Sequence, residues 1–149
     1  MTSHSPLETK KIAEEFVNGL TSHPKNTGAT VLCLYGDLGS GKTTFTQCVA
    51  SKLGIGDHVV SPTFVIIKTY NLPQTTHSTS GFKKLIHIDA YRLDGEEGME
   101  KLGWKEIIEN PENLVVIEWP QRIEKILPRE YTRINFTFID DVTREITFS

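Results

Sequence analysis

Eight residues, Gly36-Asp37-Leu38-Gly39-Ser40-Gly41-Lys42-Thr43, match the pattern GxxxxGK[ST]. No other segment constrains the fold as much, because a loop of this kind works only between a strand and a helix. The flanks comply: Thr30 to Tyr35 is an apolar run suited to a buried strand, and Lys42 to Leu53 puts Phe45, Val49 and Leu53 on one helical face. Gly36, Gly39 and Gly41 permit a backbone that wraps closely around phosphate groups with its N–H groups turned inward. Lys42 would reach the β- and γ-phosphates and Thr43 would offer a hydroxyl to Mg²⁺. The next helix would aim its positive dipole end at the anion. The alternative is a glycine-rich turn that binds nothing, and the strand before it and helix after it argue against that.

The rest of the chain reads as further α/β units. Ser5-Pro6-Leu7-Glu8 is a helix start, with Ser5 as N-cap, Pro6 at the first helical position and Glu8 closing a capping box. Leu7, Ile12, Phe16, Val17 and Leu20 carry the helical spacing to about Thr21. His23 to Gly28 has loop composition. Phe64 to Tyr70, Lys84 to Asp89 and Leu114 to Glu118 are strand candidates, and Leu72 to Lys83 is polar enough for a loop or hairpin tip. Gly95 to Asn110 predicts an interrupted helix and Pro120 to Leu127 a short one. Ile134, Phe136 and Phe138, then Ile146 and Phe148, alternate around Asp140-Asp141-Val142-Thr143 as an antiparallel hairpin on a sheet edge. With neither a repeat nor a second hydrophobic pattern, residues 1–149 are expected to form one domain.

Composition narrows the classes. A hydrophobic fraction of 38% and a charged fraction of 23% suit an ordinary globule. No apolar run approaches the roughly 18 residues of a membrane span, and Met1 to Lys11 resembles neither a secretion signal nor a transit peptide. A cytoplasmic protein is therefore expected. The net charge of −3 provides no basic footprint for direct nucleic-acid binding. Cys33 and Cys48, without a CxxC or clustered histidines, are expected to be reduced core thiols.

Phosphate chemistry with Mg²⁺ also calls for a carboxylate at the end of an apolar strand. Both Leu114-Val115-Val116-Ile117-Glu118 and Leu85-Ile86-His87-Ile88-Asp89 offer one. Either acid alone could be an ordinary strand-end charge. Parallel strands, however, deliver their carboxyl ends to the same edge as the glycine loop.

These residues carry a family resemblance. Gly36 to Phe45, Ser61-Pro62-Thr63-Phe64, His87-Ile88-Asp89-Ala90-Tyr91-Arg92-Leu93 and Glu118-Trp119-Pro120 resemble, in order and spacing, the TsaE (YjeE) family of bacterial ATPases. The resemblance covers about Leu7 to Leu127. It implies an α/β fold of P-loop NTPase-like three-layer form, with a mostly parallel central sheet and an antiparallel C-terminal hairpin. It also implies an ATPase that uses ATP and Mg²⁺ and works with TsaB and TsaD proteins on the threonylcarbamoyladenosine modification of tRNA. The tRNA would be met only indirectly, and the protein alone would be a monomer.

Carried onto this chain, the resemblance makes Gly36, Asp37, Leu38, Gly39, Ser40, Gly41, Lys42, Thr43 and Thr44 the nucleotide contacts, with Trp119 beside them. Thr63 would face the γ-phosphate, Asp89 would be the essential acid and Glu118 the second. Thr43, Glu118 and Asp89 form the metal side, and Lys42, Asp89, Glu118 and Thr63 the catalytic set. Trp119 also suits plain core packing, and His87 a structural place on its strand. Tyr91 and Arg92 would orient the site, meet a partner, or merely begin a helix at the surface. Ala90 stands where a larger aliphatic residue is common, and Leu72 to Lys83 reads as an insertion.

Slow hydrolysis alone and faster turnover with partners are expected, since only Arg92 lies in a motif near the site. A small-molecule P-loop kinase would use the same loop but would need an Arg-bearing lid. A non-catalytic adaptor ordered by bound ATP is the other reading. A GTPase is disfavoured, because neither a DxxG nor an NKxD segment occurs.

Overall fold

Side chains alternate across a strand, so a strand apolar at every position must be covered on both faces. Residues 31–34 of the strand Thr30–Tyr35 meet that condition: Leu32 and Leu34 enter one hydrophobic core and Val31 and Cys33 another. The computed structural model describes residues 1–22, 27–56, 59–62, 64–74 and 80–149. Thr63, part of the His23 to Gly28 loop and part of the Leu72 to Lys83 insertion lie outside the described residues. In chain order the elements are β1 (Thr2–Ser3), α1 (Pro6–Asn18), β2 (Thr30–Tyr35), α2 (Lys42–Lys52), β3 (Ile67–Asn71) and β4 (Lys84–Asp89). They continue with α3 (Glu97–Lys101), α4 (Trp104–Glu109), β5 (Asn113–Glu118), a 3-10 helix (Pro120–Ile126), β6 (Thr132–Phe138) and β7 (Arg144–Phe148).

The strands form one seven-stranded sheet in the order β1-β7-β6-β2-β5-β4-β3. The centre is parallel, with β2 paired to β5 and β6, and β4 paired to β5. Antiparallel strands finish both sides: β3 on β4, and β7 on β6 followed by β1. On one face α1 and α2 pack Ala13, Val17, Phe45 and Val49 against Leu32, Leu34, Leu114 and Val116. On the other, Met99, Trp104 and Ile123 close over Val31, Cys33, Ile88, Val115 and Ile117. The result is a three-layer α/β architecture. Burying one such side chain stabilises the fold by about 1.5–3 kcal/mol.

Several local expectations are corrected. The first helix stops at Asn18 rather than Thr21, and Leu7 is 63% exposed while Thr9 faces inward and bonds Ser3 Oγ at 2.8 Å. Ser5 does cap Glu8 N, but Glu8 Oε2 accepts from His4 N at 2.7 Å, one residue before the expected donor. The third strand starts at Ile67 rather than Phe64, because Val65 and Ile66 donate back to Pro62 O in a turn. The interrupted helix divides at Gly103, where φ is +80°. The short helix expected from Pro120 is present as a 3-10 helix, Pro120–Ile126, kinked at Ile123. Tyr91 and Arg92 sit in a turn, with the next helix beginning only at Glu97. The C-terminal hairpin is present, yet β7 is not bare at its outer side: β1 pairs with it through Thr2 and Ser3.

Candidate active site at the carboxyl edge of the parallel strands

Three parallel strands end together. The register pairs Leu34 with Glu118 and Glu118 with Asp89, so the carboxyl ends of β2, β5 and β4 form one edge. The glycine loop leaves β2 at this edge and leads into α2. Gly36, Gly39 and Gly41 all have positive φ, at +148°, +77° and +103°. At Gly36 space is short as well, since a Cβ there would lie 2.6 Å from Phe136 O on β6.

Lys42, the first residue of α2, is 4% exposed. Its Nζ donates to Gly36 O at 2.7 Å and Asp37 O at 2.8 Å, and stands 4.5 Å from the centre of the Trp119 ring. Burial lowers its pKa from the usual lysine value, and the negative charges of Glu118, Asp89 and Asp37 oppose that shift. The ammonium is thus a desolvated cation held against the loop itself. An incoming phosphate would face a charge that water does not screen.

The two acids have different surroundings. Glu118 is 3% exposed, and Thr43 Oγ1 lies 3.1 Å from each of its carboxylate oxygens. His87 Nε2 lies 2.8 Å from Oε1 of the same carboxylate. Asp89, 4% exposed, accepts from Ser61 Oγ at 3.3 Å and from Tyr91 N at 3.0 Å. The hydroxyl at the head of α2 therefore meets Glu118 rather than Asp89. Asp89 ties the Ser61-Pro62 segment and the Tyr91 turn to the end of β4.

Among the described residues two non-glycine residues at this edge have left-handed backbones, Ile66 at φ +67° and Trp119 at φ +60°. Such conformations cost on the order of 1–3 kcal/mol each and persist only where neighbours hold them. Ile66 O accepts from Asp89 N at 2.8 Å, and Trp119 O accepts from Arg122 N at 3.1 Å. The turn at Trp119 swings its ring over Lys42 and against Tyr91, with ring centres 5.0 Å apart.

Most residues expected at the site converge here. Gly36, Ser40, Lys42, Thr43, Glu118 and Trp119 are brought together, Asp89 lies on the next strand, and Thr63 lies outside the described residues. Asp37, Leu38 and Thr44 are exposed around the loop and the first turn of α2. Arg92 stacks on Phe64, 4.7 Å from the ring centre, instead of turning to the loop. Ser61 and His87 were not expected among the functional residues. A signal for His87 was available: it precedes Asp89 by two positions and so shares its strand face.

The donor set suits a phosphate and a hard cation. Thr43 and the carboxylates offer oxygen, and the loop offers main-chain N–H groups and Lys42. Among the described residues no group of three or more His, Cys, Asp or Glu side chains could hold a metal ion. A cation here would complete its shell from water and phosphate, as Mg²⁺ does at nucleotide sites.

A strand, a glycine loop with its lysine, a helix and acid-tipped parallel strands define an α/β protein of the P-loop NTPase-like fold class. The family model described as "Threonylcarbamoyl adenosine biosynthesis protein TsaE" matches residues 3–146. A relative from Bacillus subtilis (strain 168), "tRNA threonylcarbamoyladenosine biosynthesis protein TsaE", is 42% identical over 145 residues, covering 97% of this chain and 81% of its own. A protein of the same name from Nostoc sp. is 36% identical, over 80% of this chain and 69% of its own. The crystal structure of Bacillus subtilis YdiB superposes with a TM-score of 0.71 at 34% identity, covering 99% of this chain and 82% of that one. The chain belongs to the TsaE family. Among the described residues no helix is long and apolar enough to cross a membrane.

Proposed function

We propose that this protein binds ATP with Mg²⁺, hydrolyses it slowly alone, and serves threonylcarbamoyladenosine modification of tRNA in the cytoplasm together with TsaB and TsaD proteins. The observation that carries the ATPase reading is the Thr43 hydroxyl, 3.1 Å from both oxygens of Glu118, beside the buried Lys42. Family membership and the relatives' names carry the pathway.

In this reading the loop amides and Lys42 hold the phosphates, and Thr43 and Glu118 hold the magnesium side. When bound, Mg²⁺ supplies charge neutralisation at the phosphates. Asp89 fixes the Ser61-Pro62 segment against the site through Ser61 Oγ, while Trp119 keeps water from Lys42. Arg92 and Arg122 are engaged on the rings of Phe64 and Tyr91, which leaves the charge that accelerates phosphoryl transfer to be supplied from elsewhere. An arginine brought by a partner is worth about 10³ to 10⁵ in rate. With a formal charge of −3, the chain would meet tRNA through its partners rather than directly.

Phosphate release from ATP, measured with and without magnesium and the partner proteins, tests the reading. Slow magnesium-dependent release that rises sharply with partners is expected, with Lys42→Ala and Glu118→Gln inactive. Transfer of phosphate to a small acceptor would replace this reading by a kinase. Full tRNA modification by a non-hydrolysing Glu118→Gln protein would replace it by an adaptor.

A further inference from the structure

His87 lies in the middle of β4, and its ring is completely buried. It is paired in register with Val116, and Asp89 with Glu118, so its side chain shares the face of the sheet on which both acids lie. Nε2 is 2.8 Å from Glu118 Oε1, while Nδ1 is buried and has no hydrogen-bond partner among the described residues. With Glu118 as a carboxylate, which only accepts, the ring tautomer that carries its proton on Nε2 is the one that donates there. Oε1 is thereby anchored from below the strand ends, and the same carboxylate meets the Thr43 hydroxyl above them.

We propose that His87 is a positioning residue that orients the Glu118 carboxylate toward Thr43 and so toward the magnesium side of the nucleotide site. The proposal rests on the ATP·Mg²⁺ reading above. A glutamate at a strand end has three side-chain torsions to settle. Packing restrains the first, but only a directional donor selects how the carboxylate itself is turned. Among the described residues no side chain besides Thr43 and His87 donates to Glu118. Thr43 would itself be drawn toward the cation, which leaves the ring as the contact that keeps the carboxylate aimed. Outer groups of this kind typically change metal affinity or activity by about 10- to 100-fold when removed.

The test is calorimetric titration of the full chain with ATP, once in magnesium and once in EDTA, for wild type, His87→Leu and His87→Gln. Leucine fills much of the space without a donor, and glutamine carries an amide N–H near the position of Nε2. His87→Leu is expected to lose about 10-fold or more of the magnesium-dependent gain in affinity. Its affinity in EDTA should stay close to that of wild type, and His87→Gln should recover most of the loss. Should His87→Leu fail to fold, His87→Asn, whose shorter amide is withdrawn from Oε1, takes its place in the comparison. An unchanged magnesium gain overturns the proposal, as does an equal loss in magnesium and EDTA, or a glutamine variant no better than leucine. A wild-type protein with no magnesium-dependent gain overturns the nucleotide reading itself, and the role of His87 with it.

Discussion

Gly36 and Gly39 occupy the same motif for different physical reasons, and alanine at each should separate them. At Gly36 φ is +148° and an added Cβ would lie 2.6 Å from Phe136 O, 2.7 Å from Ser40 Oγ and 3.0 Å from Phe136 Cβ. The nearest of these atoms is backbone of β6 inside the sheet, so it cannot swing aside. The backbone conformation costs about 1–3 kcal/mol and the overlap about 1–3 kcal/mol more. The reduced freedom of the unfolded chain returns about 0.4–1 kcal/mol, which leaves Gly36→Ala destabilised by roughly 1–5.5 kcal/mol. Gly39 has φ +77°, but among the described residues nothing lies within 4 Å of its added Cβ. Only the left-handed cost of about 1–2 kcal/mol applies there, less the same unfolded-state return, or roughly 0–1.5 kcal/mol net. Urea unfolding without nucleotide reads the difference. With a slope of about 2 kcal/mol/M, Gly36→Ala should lower the midpoint by about 0.5–2.8 M and Gly39→Ala by about 0.8 M or less. Equal midpoints for the two variants would refute the close approach of β6 as the reason for glycine at position 36.

Two more outcomes follow from the cores. Phe45 is fully buried, with ring centres 5.4 Å from Phe136, 6.1 Å from Phe16 and 6.2 Å from Phe148. Phe45→Ala should cost about 3–5 kcal/mol, or roughly 10–16 °C in a calorimetric melt, and a shift within about 3 °C would show that α2 is not pinned through this ring. Burial pushes the Cys33 thiol up to about 12 from 9.0, with Arg133 opposing the shift, whereas Cys48 is half-buried. Native protein near pH 8 should therefore react with Ellman's reagent only at Cys48, so that Cys48→Ser abolishes labelling. The same shift makes the unfolded chain release its proton first, so Cys33 supports folding fully below pH 9.0 and progressively less up to about 12. Labelling of the native Cys48→Ser protein would contradict that burial.

Local pattern determined a good deal of this protein. The run from Thr30 to Thr43 announces strand, loop and helix, because turn chemistry and side-chain period act between near neighbours. The acid-tipped strands ending at Asp89 and Glu118 and the C-terminal hairpin are legible for the same reason. Tertiary structure decided what depends on partners distant in sequence. Strand order and register place Glu118, rather than Asp89, against Thr43, 75 residues away. Long-range pairing also adds Thr2 and Ser3 to β7, which two residues could never signal by themselves. The left-handed turns at Ile66 and Trp119 contradict the preference of their own side chains. Only the surrounding hydrogen bonds and packing hold them, and those form when the sheet is assembled.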